Sequence, residues 1–304
     1  MDALTKTLGT AFNAVIPSFV LIAFGALADR LLPELNLETL SRLSVYLLIP
    51  ALIFSALTST DLSLRAAAHL SLAYFVYLLA LSGLALVGSL GMKGAQRSAV
   101  VVASLFGNTG NMGLPITLFA YGQAGLERAV VLLVLSLLLM FTLGPLVLSP
   151  GDARMRTRLL EALKLPPLWA AVAGLVVNGS GLELPLSLAR STELLAQAAI
   201  PTLLLSLGIQ MRRGWTWKVG GVALRTVVLR LGLGPFVAYG VASLLNVTAL
   251  DLKVLVLSAA MPTAVTMFVV AVEVGGDYGG FARSVVLTTL GSVLAILAVL
   301  SWLP

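Results

Sequence analysis

Ten stretches of predominantly apolar residues run along the chain, at 10–29, 38–58, 66–91, 97–121, 127–149, 166–180, 188–210, 217–245, 252–274 and 281–302. A helix needs about 20 such residues to cross the hydrocarbon core of a bilayer, and all but the short sixth run come near or exceed that length. Apolar residues follow one another continuously within each run, whereas a membrane β-strand alternates over about 10 residues, so the runs are predicted as helices and a β-barrel is excluded. Polar and charged residues gather in the short gaps, which are predicted as loops. The first run follows Lys6 and ends in Gly25-Ala26-Leu27-Ala28, the outline of a cleavable signal. Its one Lys is balanced by Asp2 and its apolar core is too long, so it is predicted as the first span.

Composition narrows the class further. Of 304 residues 59% are apolar and 11% charged, too few charges to cover a water-soluble surface, which sets aside soluble enzymes and nucleic-acid binders. The formal charge of +6 is therefore read through its placement, because Lys and Arg concentrate in cytoplasmic loops. With the amino terminus outside, thirteen basic residues fall in inside loops: Arg30, Arg42, Lys93, Arg97, Arg154, Arg156, Arg158, Lys164, Arg212, Arg213, Lys218, Arg225 and Arg283. Five (Lys6, Arg65, Arg128, Arg190 and Lys253) fall outside. This predicts a multi-pass protein of the cell inner membrane with both termini outside and the loop 150–165 cytoplasmic. With no cysteine and a single histidine, His69, no disulfide, thiolate or His-cluster metal site is available, and neither a metal nor a cofactor is expected.

The cytoplasmic linker 151–165 divides the chain into 1–150 and 166–304, each with five predicted helices, and an odd number inserts the second half upside down relative to the first. An inverted repeat is supported by Ile49-Pro50-Ala51-Leu52-Ile53-Phe54-Ser55 in the second helix and Ile200-Pro201-Thr202-Leu203-Leu204-Leu205-Ser206 in the seventh, which share the frame I-P-x-L-x-x-S. It is also supported by helix-weakening residues at corresponding places, Gly107 to Pro115 in the fourth helix and Met261-Pro262-Thr263 in the ninth.

The candidate chemistry lies at these interruptions. Gly107-Asn108-Thr109-Gly110-Asn111-Met112-Gly113-Leu114-Pro115 sets three glycines, two asparagines and a proline at expected mid-bilayer depth. Unwound backbone there is tolerated only where protein or a wet cavity covers it, so the segment is predicted to face inward. Isolated prolines such as Pro17, Pro145 and Pro235 are read as ordinary kinks or packing sites. Each broken helix offers a half-helix amino terminus, which attracts anions. Asn108, Thr109, Asn111 and Thr263 add neutral donors for a carboxylate, or else cap the broken ends. Arg230, inside the eighth run, either counters an anionic cargo or reaches the interface or an acid. Gln197, one turn from Glu193, shares a face that points toward Pro201. His69 and Glu273 are read as lying near span ends.

These residues carry a resemblance. Tyr46 to Phe54, Gly107-Asn108-Thr109-Gly110 to Leu114-Pro115, and Ala259-Ala260-Met261-Pro262-Thr263-Ala264-Val265 followed by Ala271 to Asp277 are similar to the hallmark segments of the auxin efflux carrier family, across essentially the whole chain. The resemblance implies an all-α membrane fold of ten helices in two inverted five-helix repeats, like sodium/proton antiporters and bile-acid transporters. Helices 1, 2, 6 and 7 would form a scaffold, and 3–5 with 8–10 a transport domain around crossed, broken helices 4 and 9. It maps crossover prolines to Pro115 and Pro262 and a substrate-facing Asn to Asn108. A basic residue common in the family is Val272 here, and the central loop is short.

The expected function is a secondary transporter of small organic anions working by alternating access, with Asn108, Thr109, Asn111, Met112, Pro115, Pro262, Thr263, Gln197 and Arg230 as candidate substrate residues. The expected partners are the anion, the bilayer and a second copy through the scaffold helices, with no nucleic acid. A cation-coupled carrier of the same fold is the alternative, and a non-transporting sensor a weaker one. No Asp or Glu lies in either interrupted segment, so sodium independence is expected. An intramembrane enzyme is set aside, because no His-Glu-x-x-His, Gly-x-Gly-Asp or Gly-x-Ser-x-Gly is present.

Overall fold

Caps and punctuating residues set the helix ends. The Asn36 side-chain oxygen accepts from the Thr39 amide (3.0 Å), and Ser63 Oγ accepts from the Ala66 amide (3.2 Å), satisfying donors at the first turns of two helices. Gly181, at φ 66° and ψ 17°, closes another in the left-handed conformation. The computed structural model describes residues 2–92, 94–148, 155–214, 219–247, 249–273 and 278–303. Among them are α1 (Asp2–Leu31), α2 (Leu37–Thr58), α3 (Leu64–Gly88), α4 (Ala95–Leu105), α5 (Leu114–Leu148) and α6 (Met155–Ala162). The chain continues through α7 (Pro166–Ser180), α8 (Leu186–Arg213), α9 (Gly221–Leu244), α10 (Ala249–Ala259), α11 (Val265–Glu273) and α12 (Tyr278–Trp302).

Among the described residues, seven helical segments are long and apolar enough to cross a membrane, and the pair α6 and α7, bent by 60°, makes an eighth if taken as one span. Large apolar side chains such as Leu72, Leu244 and Leu294 point outward, as contact with lipid requires. Helices α4, α10 and α11 have 11, 11 and 9 residues. At about 1.5 Å per residue each covers roughly half of the hydrocarbon core.

The gap expected between the fourth and fifth apolar runs falls at Gly122, whose φ of 65° and ψ of −161° only glycine adopts without strain, and there Leu114–Leu148 turns from one helix into the next. One expectation is corrected. Part of the expected central loop is helical: α6 carries an Arg158–Glu161 ion pair (2.9 Å) one turn apart and packs against α5. Residues 149–154, where the linker begins, lie outside the described residues, as do Lys93, Lys218 and Asp277.

Three widened π turns, Ser44–Leu48, Thr109–Gly113 and Val228–Leu233, each stand two residues before a proline: Pro50, Pro115 and Pro235. Proline has no N–H and its ring crowds the preceding turn, which relaxes by widening. Helices α1 and α2 pack against α8, and α2 against α7; α3, α4, α9, α10 and α12 surround one another, with α5 against α4 and α10, and α1 joins the two sets by packing against α5 and α12. Helices α1 and α8 touch backbone to backbone. A Cβ on Gly25 would stand 2.1 Å from the Leu205 carbonyl oxygen, and one on Gly208 1.9 Å from that of Ile22.

Ion pairs with buried carboxylates tie the ends. Near the end of α1, Asp29 pairs with both Arg212 and Arg213 of α8. At the opposite end Arg128 pairs with Asp251, Thr60 Oγ1 donates to Glu127 (2.6 Å), and Asn178 Nδ2 donates to the Thr58 and Thr60 carbonyls.

Candidate functional site

Helix α4 stops at Leu105 because the glycines and polar residues that follow do not continue it. An inverse γ-turn forms at Asn108 (φ −76°, ψ 62°), with the Thr109 amide donating to the Gly107 carbonyl at 2.8 Å. On the other side α10 stops at Ala259, before Pro262. The two interruptions face each other and are joined through the main chain. The Asn108 amide donates to the Pro262 carbonyl (2.7 Å), the Ala264 amide donates to the Phe106 carbonyl (2.9 Å), and Gly107 pairs with Thr263 as an antiparallel bridge. Backbone groups that would be orphaned inside apolar surroundings thereby find partners.

Thr263 strengthens this joint. It is fully buried, its Oγ1 donates to the Ala103 carbonyl (2.8 Å), and its amide donates to Thr288 Oγ1 (3.0 Å). Met112, Pro115 and Pro262 are buried in the same joint.

A cavity of about 120 Å³ lies against the joint. Asn108, Thr109, Asn111, Ser44, Gln210 and Thr266 supply its polar wall, and Leu133, Leu137, Met140 and Phe141 part of its apolar wall. Among the described residues no charged side chain lines it. Ser41, Val45 and Gln210 also border a second cavity of about 620 Å³, which extends toward Glu38, Arg42 and Arg213. Asn108 is 6% exposed; its oxygen accepts from the Asn111 amide at 3.2 Å, while its Nδ2 is buried without a protein partner. Gln210 Oε1 is likewise buried and unpartnered.

The nine residues singled out from sequence thus separate. Asn108, Thr109 and Asn111 line the small cavity, while Met112, Pro115, Pro262 and Thr263 build the joint behind it. Arg230, 1% exposed, reaches no interface and, among the described residues, pairs with no acid; it lies behind the wall among backbone carbonyls. Gln197 is exposed, away from both cavities, and donates to Glu193 at 3.3 Å. The Glu273 side chain lies outside what the structure describes. Gln210 and Ser44 were missed. The available signal was helical spacing, since Gln210 follows Ser206, of the repeated frame, by one turn.

Residues 10–303 match the family described as membrane transport protein. The chain belongs to this family. It is the one to which the resemblance to auxin efflux carriers pointed, and the transporter is not an enzyme. Similar proteins include an uncharacterized transporter of Methanothermobacter thermautotrophicus, 29% identical over 96% of this chain and 96% of its own. Another, in Methanocaldococcus jannaschii, is 25% identical over 95% and 96%. A "Putative malonate transporter" of Rhizobium meliloti is 26% identical over 94% of this chain and 93% of its own.

Proposed function

We propose that this transporter carries small organic anions across the membrane by alternating access, binding the cargo at the paired breaks. The observation that carries the reading is the buried, unpartnered Asn108 Nδ2 on a cavity wall made of neutral donors and two helix amino termini. Such a wall solvates a carboxylate without a fixed counter-charge. The name of the Rhizobium meliloti relative makes malonate the first cargo to try.

In this reading α4 with the start of α5, and α10 with α11, each make one interrupted span, which raises the number of spans to ten, in two inverted repeats of five. The packing sets support a scaffold of α1, α2, α7 and α8, and a moving transport domain made of α3, α4, α5 and α9 to α12. The larger cavity runs toward Arg42 and Arg213, at the end that the distribution of basic residues assigns to the cytoplasm, so the conformation is the inward-facing one.

Thermal unfolding of the purified protein against a panel of mono- and dicarboxylates tests the site, because a ligand that binds only the folded state stabilises it by mass action. Uptake of labelled malonate into liposomes, the same in choline as in sodium buffer, tests the transport. Absence of stabilisation and uptake across the whole panel would overturn the reading.

A further inference from the structure

We propose that Arg230 sets the charge preference of the transporter without touching the cargo; the inference rests on the anion reading above. The π turn Val228–Leu233 places this side chain in the interior, where Nε donates to the Met261 carbonyl (2.7 Å) and Nη1 to those of Ser104 (2.8 Å) and Leu105 (3.0 Å). Nη2 donates to the Ser258 carbonyl at 3.4 Å. Ser104 and Leu105 end α4 and Ser258 lies in the last turn of α10, while Met261 stands two residues past α10, in the break itself. Among the described residues no carboxylate pairs with Arg230.

The electrostatic consequence follows from the arrangement of poles. Two helices end and two begin at the paired breaks. Each carboxyl-terminal end carries about half a negative charge and each amino-terminal end about half a positive one, so the four cancel at short range. Guanidinium stays charged under all ordinary conditions and offsets both negative ends at once. The amino-terminal ends at Thr109–Gly113 and at Val265 then stand unopposed before the cavity, on the side where Asn108 Nδ2 is free. Gly107 makes the placement possible. It lines the cavity, and a Cβ there would stand 1.7 Å from Arg230 Nη2, so the guanidinium sits directly behind the wall. Arg230 is a positioning residue that acts through the field.

The test compares malonate with malonamide, its neutral diamide of nearly the same shape, by thermal shift and calorimetric titration. Wild-type protein should prefer malonate. Arg230→Gln, which keeps part of the hydrogen bonding and removes the charge, should lose about tenfold or more in malonate affinity while malonamide changes little. Arg230→Lys should keep the malonate preference and lower the melting temperature, since an ammonium retains the charge and loses the planar fork.

A merely structural role would weaken both probes together in Arg230→Gln, and that result overturns the inference. A wild-type preference for malonate that survives unchanged in Arg230→Gln overturns the inference alone. Wild-type protein that binds neither probe, or both equally, overturns the anion reading and the inference with it. Should Arg230→Gln fail to fold, Arg230→Lys decides: a lysine variant that no longer prefers malonate sinks the proposal.

Discussion

Asn108 uses the two ends of one amide differently. Its oxygen caps the turn after the break and its nitrogen is left for whatever enters the cavity. Replacing it with alanine removes a hydrogen bond to a charged group, so Asn108→Ala should weaken malonate binding by about 1–3 kcal/mol, roughly 5- to 150-fold, in a calorimetric titration. Unchanged affinity would leave the residue a cap and no more. Asn108 was legible in the sequence because an Asn between glycines stands out in an apolar run. The surroundings of Arg230 were not, because its partners are main-chain carbonyls of two other helices, and a carbonyl has no signature in the identity of Ser104 or Met261. Gln210 and Ser44 were hidden for another reason: each is an ordinary polar residue on a helix, and only the tertiary packing decides that it faces the cavity.

Between helices, glycine controls how closely axes approach. A side chain at Gly208 would meet the Ile22 carbonyl and the Ala26 amide, both rigid backbone, so α1 and α8 must separate to admit it. Gly208→Val should therefore destabilise the protein by about 1–3 kcal/mol or more, measured as a lowered melting temperature in detergent, with Gly9→Val, which meets nothing, as the control. The break at 107–115 was readable because glycines and a proline crowd together; the partner break announced itself only through Pro262. The π turns before Pro50 and Pro235 were not readable. Pro17 and Pro145 stand inside helices with no π turn ahead of them, so the local strain resolves differently under the same residue type.

At the scale of the whole molecule, orientation is the property most open to a direct check, since the chain contains no cysteine of its own. A cysteine replacing Gly181, in the loop after α7, should react with an impermeant thiol reagent in intact cells, and one replacing Asn36, at the opposite end, should react only after the membrane is opened. Reversal of the two would invert the proposed topology and place the larger cavity on the outer side. The placement of basic residues, read from the chain alone, is what distinguishes the ends; nothing in the packing of one helix on another does so.

The main-chain bonds between Phe106, Asn108, Pro262 and Ala264 have a consequence for how such a chain is made and inherited. A ribosome that has finished residues up to 148 has produced an Asn108 amide and a Phe106 carbonyl whose partners do not yet exist, so the first part waits, incomplete, for the second. Neither 1–148 nor 155–304 should survive proteolysis when produced alone, whereas the two fragments expressed together should accumulate and copurify. Mutual dependence of this kind discourages the loss of either part from the gene, because a truncated product lacks the complement that its own exposed main chain demands.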